Sequence, residues 1–267
     1  MSLQGHRARK RFGQNFLQDS HVIQRIINAL KPKAGDRIVE IGPGLGALTA
    51  PLIEAAGKIE VVEIDRDLVE RLQRRFSDEV LQIHCGDALK FDFRALAGES
   101  GKLRLIGNLP YNISTPLLFH LMAQLDCIAD IHCMLQKEVI ERMAAQPGEK
   151  NYGRLSIMLQ YHCRVTKLFN VGPGAFNPPP KVESAVARLV PHKTPPVQIN
   201  DEALFARLVN QAFTQRRKTL RNALKTYLSA EQMAAAGVNP SARPETLSLQ
   251  DFANLSNRCP PTQETPC

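Results

Sequence analysis

One short buried strand, followed by a glycine-rich turn and then a helix, constrains the fold of this chain more than any other feature. Residues 37–41 have the pattern of a buried strand, residues 42–46 carry a glycine at every second position, and residues 47–56 have helical character. Glycine lets the backbone approach a ligand without interference from a Cβ atom. This order is typical of the turn that cradles a phosphate or nucleoside in doubly wound α/β folds. The alternative is a tight turn that binds no ligand.

The spacing of the three glycines separates this turn from the common dinucleotide motif. Gly42, Gly44 and Gly46 form G-x-G-x-G, whereas dinucleotide-binding folds carry G-x-G-x-x-G. Pro43 also removes one N–H group from the turn. A dinucleotide-dependent oxidoreductase is therefore disfavoured.

Acidic residues follow the next two predicted strands. Glu63 lies at the end of strand 59–64, roughly 20 residues after Gly42, where nucleotide-binding folds place the acid that binds the ribose hydroxyls. Asp65 competes for this role, and we prefer Glu63. Strand 80–85 is followed by Gly86, Asp87 and Ala88. Asp87 can accept a hydrogen bond from an adenine amino group, or it can cap the helix that follows.

A fourth strand, residues 103–106, leads through Gly107 into Asn108-Leu109-Pro110-Tyr111. The Asn108 side-chain carbonyl can accept a hydrogen bond from an amino group. Pro110 stiffens the turn and leaves the Leu109 carbonyl as a second acceptor. Tyr111 offers a flat face on which a base can stack. Two acceptors and one ring suit the exocyclic amine of a nucleobase, and the alternative is an ordinary turn with a core tyrosine.

These four strand ends predict one ligand site. Open α/β sheets bind ligands at the carboxyl ends of their strands, so Gly42, Glu63, Asp87 and Asn108 should border a single pocket. The predicted fold is an α/β, Rossmann-like sheet over residues 1–190, with a basic N-terminal segment at 1–17. A linker follows the last predicted strand, and periodic segments predict a small helical domain at 197–257. Residues 258–267 form a tail without a motif.

Composition sets broad limits on the class of protein. Hydrophobic residues make up 43% of the 267 residues and charged residues 22%, ordinary values for a globular protein. No apolar run approaches the roughly 18 residues of a membrane span, and the basic N-terminus lacks the apolar stretch of a secretory signal. The six cysteines form no C-x-x-C pair and no zinc pattern. We therefore expect free thiols, no metal, no membrane partner and a cytoplasmic location.

Basic residues concentrate in two blocks without acids, and the net charge is +8. The first block contains His6, Arg7, Arg9, Lys10 and Arg11, and the second contains Arg216, Arg217, Lys218, Arg221 and Lys225. A nucleic-acid surface is one explanation of such blocks, and a solvated face is the other. We predict RNA binding by Arg9, Lys10, Arg11, Arg216, Arg217, Lys218 and Arg221.

Five motifs in this order resemble the KsgA/RsmA family of small-subunit rRNA adenine dimethyltransferases, over roughly residues 5–255. N-L-P-Y itself is similar to the (D/N/S)-P-P-(Y/F) signature of enzymes that methylate exocyclic amines. The motifs are R-K-R-F-G-Q-N-F-L at 9–17, E-I-G-P-G-L at 40–45, G-N-L-P-Y-N-I-S-T-P at 107–116, M-L-Q-K-E at 134–138 and F-N-P-P-P-K-V at 176–182.

The resemblance implies a Class I methyltransferase fold, with a mostly parallel sheet and one antiparallel edge strand, that binds S-adenosylmethionine. It implies backbone contacts of Asn15 and Leu17 with this cofactor, and Gly42 against its methionine part. It implies Glu63 on the ribose, Asp87 and Ala88 near the adenine, and Asn108 between cofactor and substrate. The catalytic candidates are Asn108, Leu109, Pro110 and Tyr111, with Phe176 as a second stacking surface for an adenine taken out of its stack. The alternative for Phe176 is simple core packing.

The resemblance also implies a substrate: two adjacent adenosines in the 3′-terminal hairpin of 16S rRNA, each dimethylated within an immature small ribosomal subunit. We expect a monomer. We also expect that no metal is needed, because the sulfonium is already an activated methyl donor. Two alternatives remain open. An Erm-type enzyme would methylate 23S rRNA with the same fold and tetrapeptide, and an assembly factor without catalytic activity would keep only the RNA-binding function.

Overall fold

The computed structural model describes residues 14–98, 101–214 and 218–259. The chain divides into two compact units. The first unit runs to Ile140 and resumes over Thr166–Pro191. The second unit comprises Glu141–Val165 and the chain from His192 onward. Each unit is described separately below.

A seven-stranded sheet forms the centre of the first unit. The strands of the described residues are β1 (Phe16–Leu17), β2 (Ile38–Ile41), β3 (Ile59–Glu63), β4 (Leu81–Cys85), β5 (Leu103–Asn108), β6 (Ile128–Gln136), β7 (Cys163–Val171), β8 (Phe176–Asn177) and β9 (Ser184–Pro191). The sheet order is β4-β3-β2-β5-β6-β9-β7. The pairs from β4 to β6 are parallel, and β9 runs antiparallel to β6. The predicted mostly parallel sheet with an antiparallel strand toward one edge is confirmed.

Helices connect the parallel strands of the first unit. They are α1 (Ser20–Leu30), α2 (Thr49–Ala56), α3 (Arg66–Arg75), α4 (Phe93–Ala97), α5 (Ser114–Met122) and the start of α6 (Lys137–Ala144). The sequence explains the first of these well. Asp19 caps α1 by accepting hydrogen bonds from the backbone N–H groups of His21 and Val22, and Ile26, Ile27 and Leu30 are buried. The apolar positions at helical spacing therefore face the core.

The parallel register brings the predicted site residues to one edge of the sheet. Ile41 lies opposite Val62, and Glu63 lies opposite Cys85, so β2, β3 and β4 end side by side. On the other side of β2, Glu40 pairs with Ile106, two residues before Asn108. The carboxyl ends of four adjacent strands thus lie along one edge, which is where open α/β sheets bind ligands.

A partly buried ion network holds the opposite end of the sheet. Arg104 on β5 donates to both carboxylate oxygens of Asp130 on β6, each at 3.0 Å, and to Asp36 at 2.7 Å. It also donates to the Leu30 carbonyl at the end of α1, at 2.7 Å. Bidentate arginine–carboxylate geometry is specific as well as strong. The network therefore ties α1 to the amino ends of β5 and β6, away from the predicted ligand site.

A short two-stranded sheet lies beside the main one. β1 pairs antiparallel with β8, and Leu17 lies opposite Phe176. The backbone N–H groups of Gln18 and Asp19 also donate to the Ala175 carbonyl. Main-chain hydrogen bonds therefore attach β1 and the two residues after it to the segment 175–177.

The second unit is helical, as the periodicity of its sequence predicts. It contains α7 (Arg154–His162), α8 (Glu202–Phe213), α9 (Leu220–Ala223), α10 (Ala230–Ala235) and α11 (Leu249–Arg258). Asp201 and Ser248 cap α8 and α11 with their side chains. Phe205 and Phe252 are fully buried in this unit.

Residues 141–165 belong to the second unit in the structure, whereas the sequence predicts that they lie in a first domain at 1–190. The side chain of Tyr161 on α7 explains this grouping. Its ring lies 5.4 Å from that of Phe205 on α8, and its hydroxyl donates to Glu202 at 2.8 Å. The domain limits at 190 and 197–257 stay predictions.

No helix in the described ranges is long and apolar enough to cross a membrane.

Candidate active site

A cavity with a volume of about 240 Å³ lies at the carboxyl ends of the parallel strands. Its walls come from the segment before β1, the turns after β2, β3 and β4, and the tetrapeptide that begins at the last residue of β5. The predicted site residues that line it are Asn15, Leu17, Gly42, Glu63, Asp87, Ala88, Asn108, Leu109, Pro110 and Tyr111. The structure therefore brings together all the predicted cofactor positions and four of the five predicted catalytic positions.

The glycine turn leaves open space at its first glycine. Gly42 has φ +67°, and a Cβ atom built there would meet nothing within 4 Å. Gly44 has φ +58°, and a Cβ atom there would lie 3.1 Å from the ring of Phe16. Positive φ favours glycine at both positions. The open side of Gly42 is thus a surface that a ligand can approach closely, while Gly44 makes room for Phe16.

Glu63 is buried at the end of β3 and is held by the backbone around it. Its Oε1 accepts from the N–H groups of Ile64 and Asp65, each at 2.9 Å, and its Oε2 accepts from Gly44 at 3.4 Å. Burial raises the pKa of Glu63 above its ordinary value, although these three hydrogen bonds oppose the shift. The carboxylate is therefore fixed in orientation, and from the described part of the chain its Oε2 accepts one long hydrogen bond.

Asp65, the competing candidate, has a different position. Its Oδ1 accepts from the Asp67 N–H as the cap of α3, and its Oδ2 accepts from Gln14 at 3.2 Å. Asp65 is 1% exposed and does not line the cavity. The geometry therefore favours Glu63 over Asp65 as the acid that meets a ligand.

Asp92, rather than Asp87, caps the helix that follows β4, and Asp87 lies in the turn before it. The Asp87 Oδ1 accepts from the Leu89 N–H at 3.0 Å, which fixes the turn after β4. The residue also lines the cavity beside Ala88. One oxygen therefore stabilises the turn, and the other can accept a hydrogen bond from a ligand.

Asn108 has a side chain whose orientation is set by the backbone of the N-terminal segment. Its Nδ2 donates to the Asn15 carbonyl at 2.9 Å. Because the amide nitrogen is used in this way, the Oδ1 atom is the acceptor that remains for a ligand. Among the described residues no group donates to the Leu109 carbonyl, so the site offers two acceptors next to each other.

Gly107 permits the close approach that places this tetrapeptide. A Cβ atom at residue 107 would lie 2.5 Å from the Ile41 carbonyl oxygen and 2.9 Å from Leu109 Cδ2. Distances this short do not occur at real Cβ atoms, and the Ile41 oxygen belongs to rigid backbone at the end of β2. Glycine is therefore required for β5 to deliver Asn108 beside the glycine turn.

Tyr111 borders the cavity with its hydroxyl bound elsewhere. The Tyr111 hydroxyl and the Ser184 Oγ share a hydrogen bond of 2.5 Å, and Ser184 is fully buried at the first residue of β9. The Ser114 hydroxyl donates to the Tyr111 carbonyl at 3.0 Å. Tyr111 is therefore attached to the protein at both its side chain and its backbone.

Phe176, the fifth predicted catalytic residue, does not line the cavity. Its side chain is 3% exposed and belongs to the core cluster that contains Leu17, Ile27 and Met134. Its position opposite Leu17 in the β1–β8 pair encloses the ring. In this position the ring packs in the core, and its role as a second stacking surface for the base stays a prediction.

Glu40 lines the cavity and was not among the predicted site residues. It is 2% exposed, and the Thr49 hydroxyl donates to its Oε2 at 2.6 Å. Burial raises its pKa to about 7, and the nearby Glu63 adds to the shift while Thr49 opposes it. The signal in the sequence was an acid inside an otherwise apolar strand that ends at a glycine turn.

Replacing Glu40 with Gln should stabilise the ligand-free protein at high pH and have little effect at low pH. The raised pKa means that Glu40 ionises more readily in the unfolded chain than in the folded protein. Its ionisation therefore lowers the free energy of unfolding, and this cost grows from pH 4.5 to about pH 7 and is constant above that. The full cost is about 3 kcal/mol, at about 1.4 kcal/mol per pKa unit.

Urea denaturation of the wild type and Glu40→Gln at pH 5 and pH 8 measures this difference. The variant should gain about 3 kcal/mol at pH 8 and less than about 1 kcal/mol at pH 5. Glu54→Gln, an exposed position on α2, is the control for the same chemical change. Equal gains at both pH values would show that ionisation of Glu40 does not destabilise the folded protein.

The predicted RNA-binding residues are only partly described. Lys218 and Arg221 are exposed. Arg9, Lys10, Arg11, Arg216 and Arg217 lie outside the described residues. Within the ranges that the structure describes, no group of His, Cys, Asp and Glu side chains could hold a metal ion.

The sheet order and the ligand cavity at the carboxyl ends define a Class I methyltransferase. Two solved structures share this fold. A dimethyladenosine transferase from Plasmodium falciparum is 28% identical, with a TM-score of 0.76 over 90% of this chain and 95% of that chain. The 23S rRNA methyltransferase ErmE is 23% identical, with a TM-score of 0.72 over 92% of this chain and 99% of that chain, a likeness of fold alone.

The chain belongs to the ribosomal RNA adenine dimethylase family, whose model matches residues 5–260. Two relatives carry the name ribosomal RNA small subunit methyltransferase A. The protein from Pseudomonas putida is 56% identical over 260 residues, which cover 97% of each chain. The protein from Pseudomonas aeruginosa is 57% identical over 254 residues, which cover 95% of each chain. The resemblance inferred from the motifs is thereby confirmed.

Proposed function

We propose that this protein dimethylates the 6-amino groups of two adjacent adenosines in the 3′-terminal hairpin of 16S rRNA, with S-adenosylmethionine as methyl donor. The names of its relatives support the small-subunit target. The observation that carries the chemistry is the orientation of Asn108: its Nδ2 is bound to the Asn15 carbonyl, and its Oδ1 is left as an acceptor in the cavity. The substrate form is an immature small ribosomal subunit, and the enzyme acts as a cytoplasmic monomer.

The residues of the cavity fit S-adenosylmethionine. The open face of Gly42 admits the methionine part, and the fixed carboxylate of Glu63 accepts from the ribose hydroxyls. Asp87 and Ala88 meet the adenine, while Asn15 and Leu17 close the cavity from the N-terminal segment. The cofactor carries positive charge on its sulfonium and ammonium groups. The buried carboxylates of Glu40 and Glu63 suit such a ligand, because burial strengthens their attraction to a cation.

Glu63→Gln should weaken the binding of S-adenosylmethionine by about 10- to 100-fold, because hydrogen bonds to a charged group contribute about 1.5–3 kcal/mol each. The side chain keeps its size, so the backbone turn after β3 keeps its support. Isothermal titration calorimetry with S-adenosylhomocysteine, which lacks the reactive methyl group, measures the affinity without turnover. Glu54→Gln on the surface of α2 is the matched control. Unchanged affinity in Glu63→Gln would remove Glu63 from the cofactor site.

The target nitrogen is a poor nucleophile, because its lone pair is delocalised into the adenine ring. Asn108 Oδ1 and the Leu109 carbonyl accept hydrogen bonds from the two N–H groups of the amine. These bonds favour a tetrahedral nitrogen whose lone pair points into the cavity. Positive charge develops on the nitrogen during transfer, and the same two oxygens stabilise it.

When bound, S-adenosylmethionine supplies a methyl group that is already activated by the sulfonium. The protein therefore has to align the two reactants, and such alignment contributes several kcal/mol, on the order of 7–11 in the best cases. Asn108 needs no charge for this task, because an ammonium formed on the nitrogen is acidic and loses its proton to solvent. We assign no general base.

The adenine has to leave its stack before it can enter the cavity. Tyr111 provides a flat surface beside the two acceptors, and Pro110 keeps the turn rigid. The basic residues, including the exposed Lys218 and Arg221, bind RNA phosphates, which orients the substrate without reading its sequence. The sequence of the target is then recognised through the shape of the hairpin and its splayed bases.

Methyl transfer to purified ribosomal particles tests the proposal. Small and large subunits that lack adenine dimethylation are incubated with the protein and isotopically labelled S-adenosylmethionine, and the RNA is digested for mass spectrometry. Dimethyladenosine in two adjacent positions of the 3′-terminal hairpin of 16S rRNA is the expected result. Transfer to 23S rRNA alone would assign the chain to the Erm type, and binding without transfer would make it an assembly factor without catalysis.

A further inference from the structure

The hydrogen bond between Tyr111 and Ser184 joins the catalytic turn to a distant strand. Tyr111 follows β5, whereas Ser184 is the first residue of β9, and β6 lies between these two strands. Ser184 has no exposed surface and lies opposite Gln136 at the end of β6. The oxygen atoms of the two hydroxyl groups are 2.5 Å apart. A bond across an intervening strand fixes the far end of the tyrosine ring relative to the sheet.

The backbone on either side of Ser184 is anchored as well. Next to it, Glu183 accepts a hydrogen bond from the Lys137 backbone N–H at 2.9 Å, and its carboxylate forms an ion pair of 2.6 Å with the Lys137 ammonium. Beyond it, β9 pairs with β6 from Ser184 to Leu189. Ser184 is therefore a rigid attachment point rather than part of a mobile loop.

The Tyr111 hydroxyl itself is not a candidate for proton transfer. Burial raises the pKa of Tyr111, although the hydrogen bond with Ser184 opposes the shift. The phenol thus stays neutral at physiological pH, and its one hydroxyl is occupied by a buried serine that has no path to solvent of its own. The hydroxyl therefore fixes the far end of the ring, and Tyr111 itself lines the cavity.

The two methyl transfers to one adenine depend on this ring to different extents. In the first transfer, the amine presents two N–H groups to two acceptors, Asn108 Oδ1 and the Leu109 carbonyl. After it, the nitrogen carries one methyl group and one N–H, so one of the two hydrogen bonds is lost. Stacking on Tyr111 then supplies a larger share of the forces that position the base. A ring free to tilt would harm the second transfer more than the first.

We propose that Ser184 is a positioning residue that holds the Tyr111 ring in place for the second methyl transfer, an inference that rests on the proposed dimethylation of adenine. Ser184 does not line the cavity and would act only through Tyr111. Its removal should therefore shift the products from dimethyladenosine toward monomethyladenosine. The rate of the first methyl transfer should change less.

The test compares Ser184→Ala, Tyr111→Phe and the double variant with the wild type on small subunits that lack the modification. The reaction is followed over time, and the ratio of monomethyladenosine to dimethyladenosine is measured by mass spectrometry of the digested RNA. Each single variant should slow the second transfer by roughly 3- to 10-fold, the range expected for one hydrogen bond, and slow the first transfer less. The double variant should be no worse than either single variant, because all three lack the same bond.

Matched variants make the outcome specific. Ser156→Ala removes another buried serine with a hydrogen bond of 2.5 Å, in this case to the Arg142 carbonyl in the second unit, and should leave the product ratio unchanged. Tyr111→Phe retains both the ring and Ser184, so it decides the question if Ser184→Ala does not fold. A wild-type product ratio in Tyr111→Phe, or additive losses in the double variant, would overturn the proposal. A wild type that forms no methyladenosine would overturn the proposed function instead.

Discussion

Replacing Asn108 with Ala should lower the rate of methyl transfer to small-subunit rRNA by about 100- to 1,000-fold. This is the usual cost of removing one preorganised hydrogen-bonding group that stabilises charge in a transition state. The Asn108 Oδ1 is one of only two acceptors proposed to bind the amine, and alanine leaves the adenine nitrogen free to rotate. Affinity for S-adenosylhomocysteine should change by only a few-fold, since Gly42, Glu63 and Asp87 remain in the cavity.

Single-turnover methylation of small subunits, together with calorimetry, separates these two effects. Asn170→Ala, at an exposed position in β7 outside the cavity, is the matched control and should behave as the wild type. Melting curves verify that both variants are folded. If Asn108→Ala turned over at the wild-type rate on this substrate, Asn108 would have no place in the mechanism.

The second large effect is expected at a residue that has no functional group. Gly107→Ala should reduce methyl transfer by at least about 100-fold and also destabilise the fold by about 1–3 kcal/mol. The added Cβ atom would lie 2.5 Å from the Ile41 carbonyl oxygen, so β5 has to move away from β2. Overpacking of this kind costs typically 1–3 kcal/mol. Displacement of the adjacent Asn108 by about 1 Å is enough to cost on the order of 100-fold in rate.

Gly172→Ala is the matched control for this substitution, because its φ is −73° and a Cβ atom there would meet nothing within 4 Å. Urea denaturation gives the change in stability of both variants, and single-turnover methylation gives the change in rate. Gly107→Ala should lose both, and Gly172→Ala should lose neither. A Gly107→Ala protein that is destabilised but fully active would show that the position of Asn108 tolerates movement of the strand.

Much of the site could be predicted from the sequence because its parts are local to strand ends. A buried strand, a turn and a chemically distinctive residue are adjacent in the chain at Gly42, Glu63, Asp87 and Asn108. Parallel strands then bring such residues to one edge by topology alone. No packing detail was needed for this inference, and the structure places all four around one cavity.

The parts that could not be predicted depend on packing between segments distant in sequence. Phe176 lies in a motif like those of the cavity residues, yet in the structure it packs in the core opposite Leu17. In the sequence, Glu40 cannot be distinguished from an ordinary strand residue. Only the depth of the cavity in the structure shows that its buried side chain lines the site. The hydrogen bond from Tyr111 to Ser184 joins positions 73 residues apart. Similarly, residues 141–165 group with the helical unit through contacts between distant positions, such as that of Tyr161 with Phe205.

The bond between Asn108 and residue 15 has a consequence for how the enzyme tolerates mutation. The acceptor is a main-chain carbonyl, so any amino acid at position 15 would supply it, provided that β1 remains paired with β8. Detachment of that short strand would instead free the amide to rotate and turn its NH₂ toward the purine. The Asn108 NH₂ group would then face the adenine amine, a donor against a donor, and the cavity would disfavour the amine that it is proposed to bind.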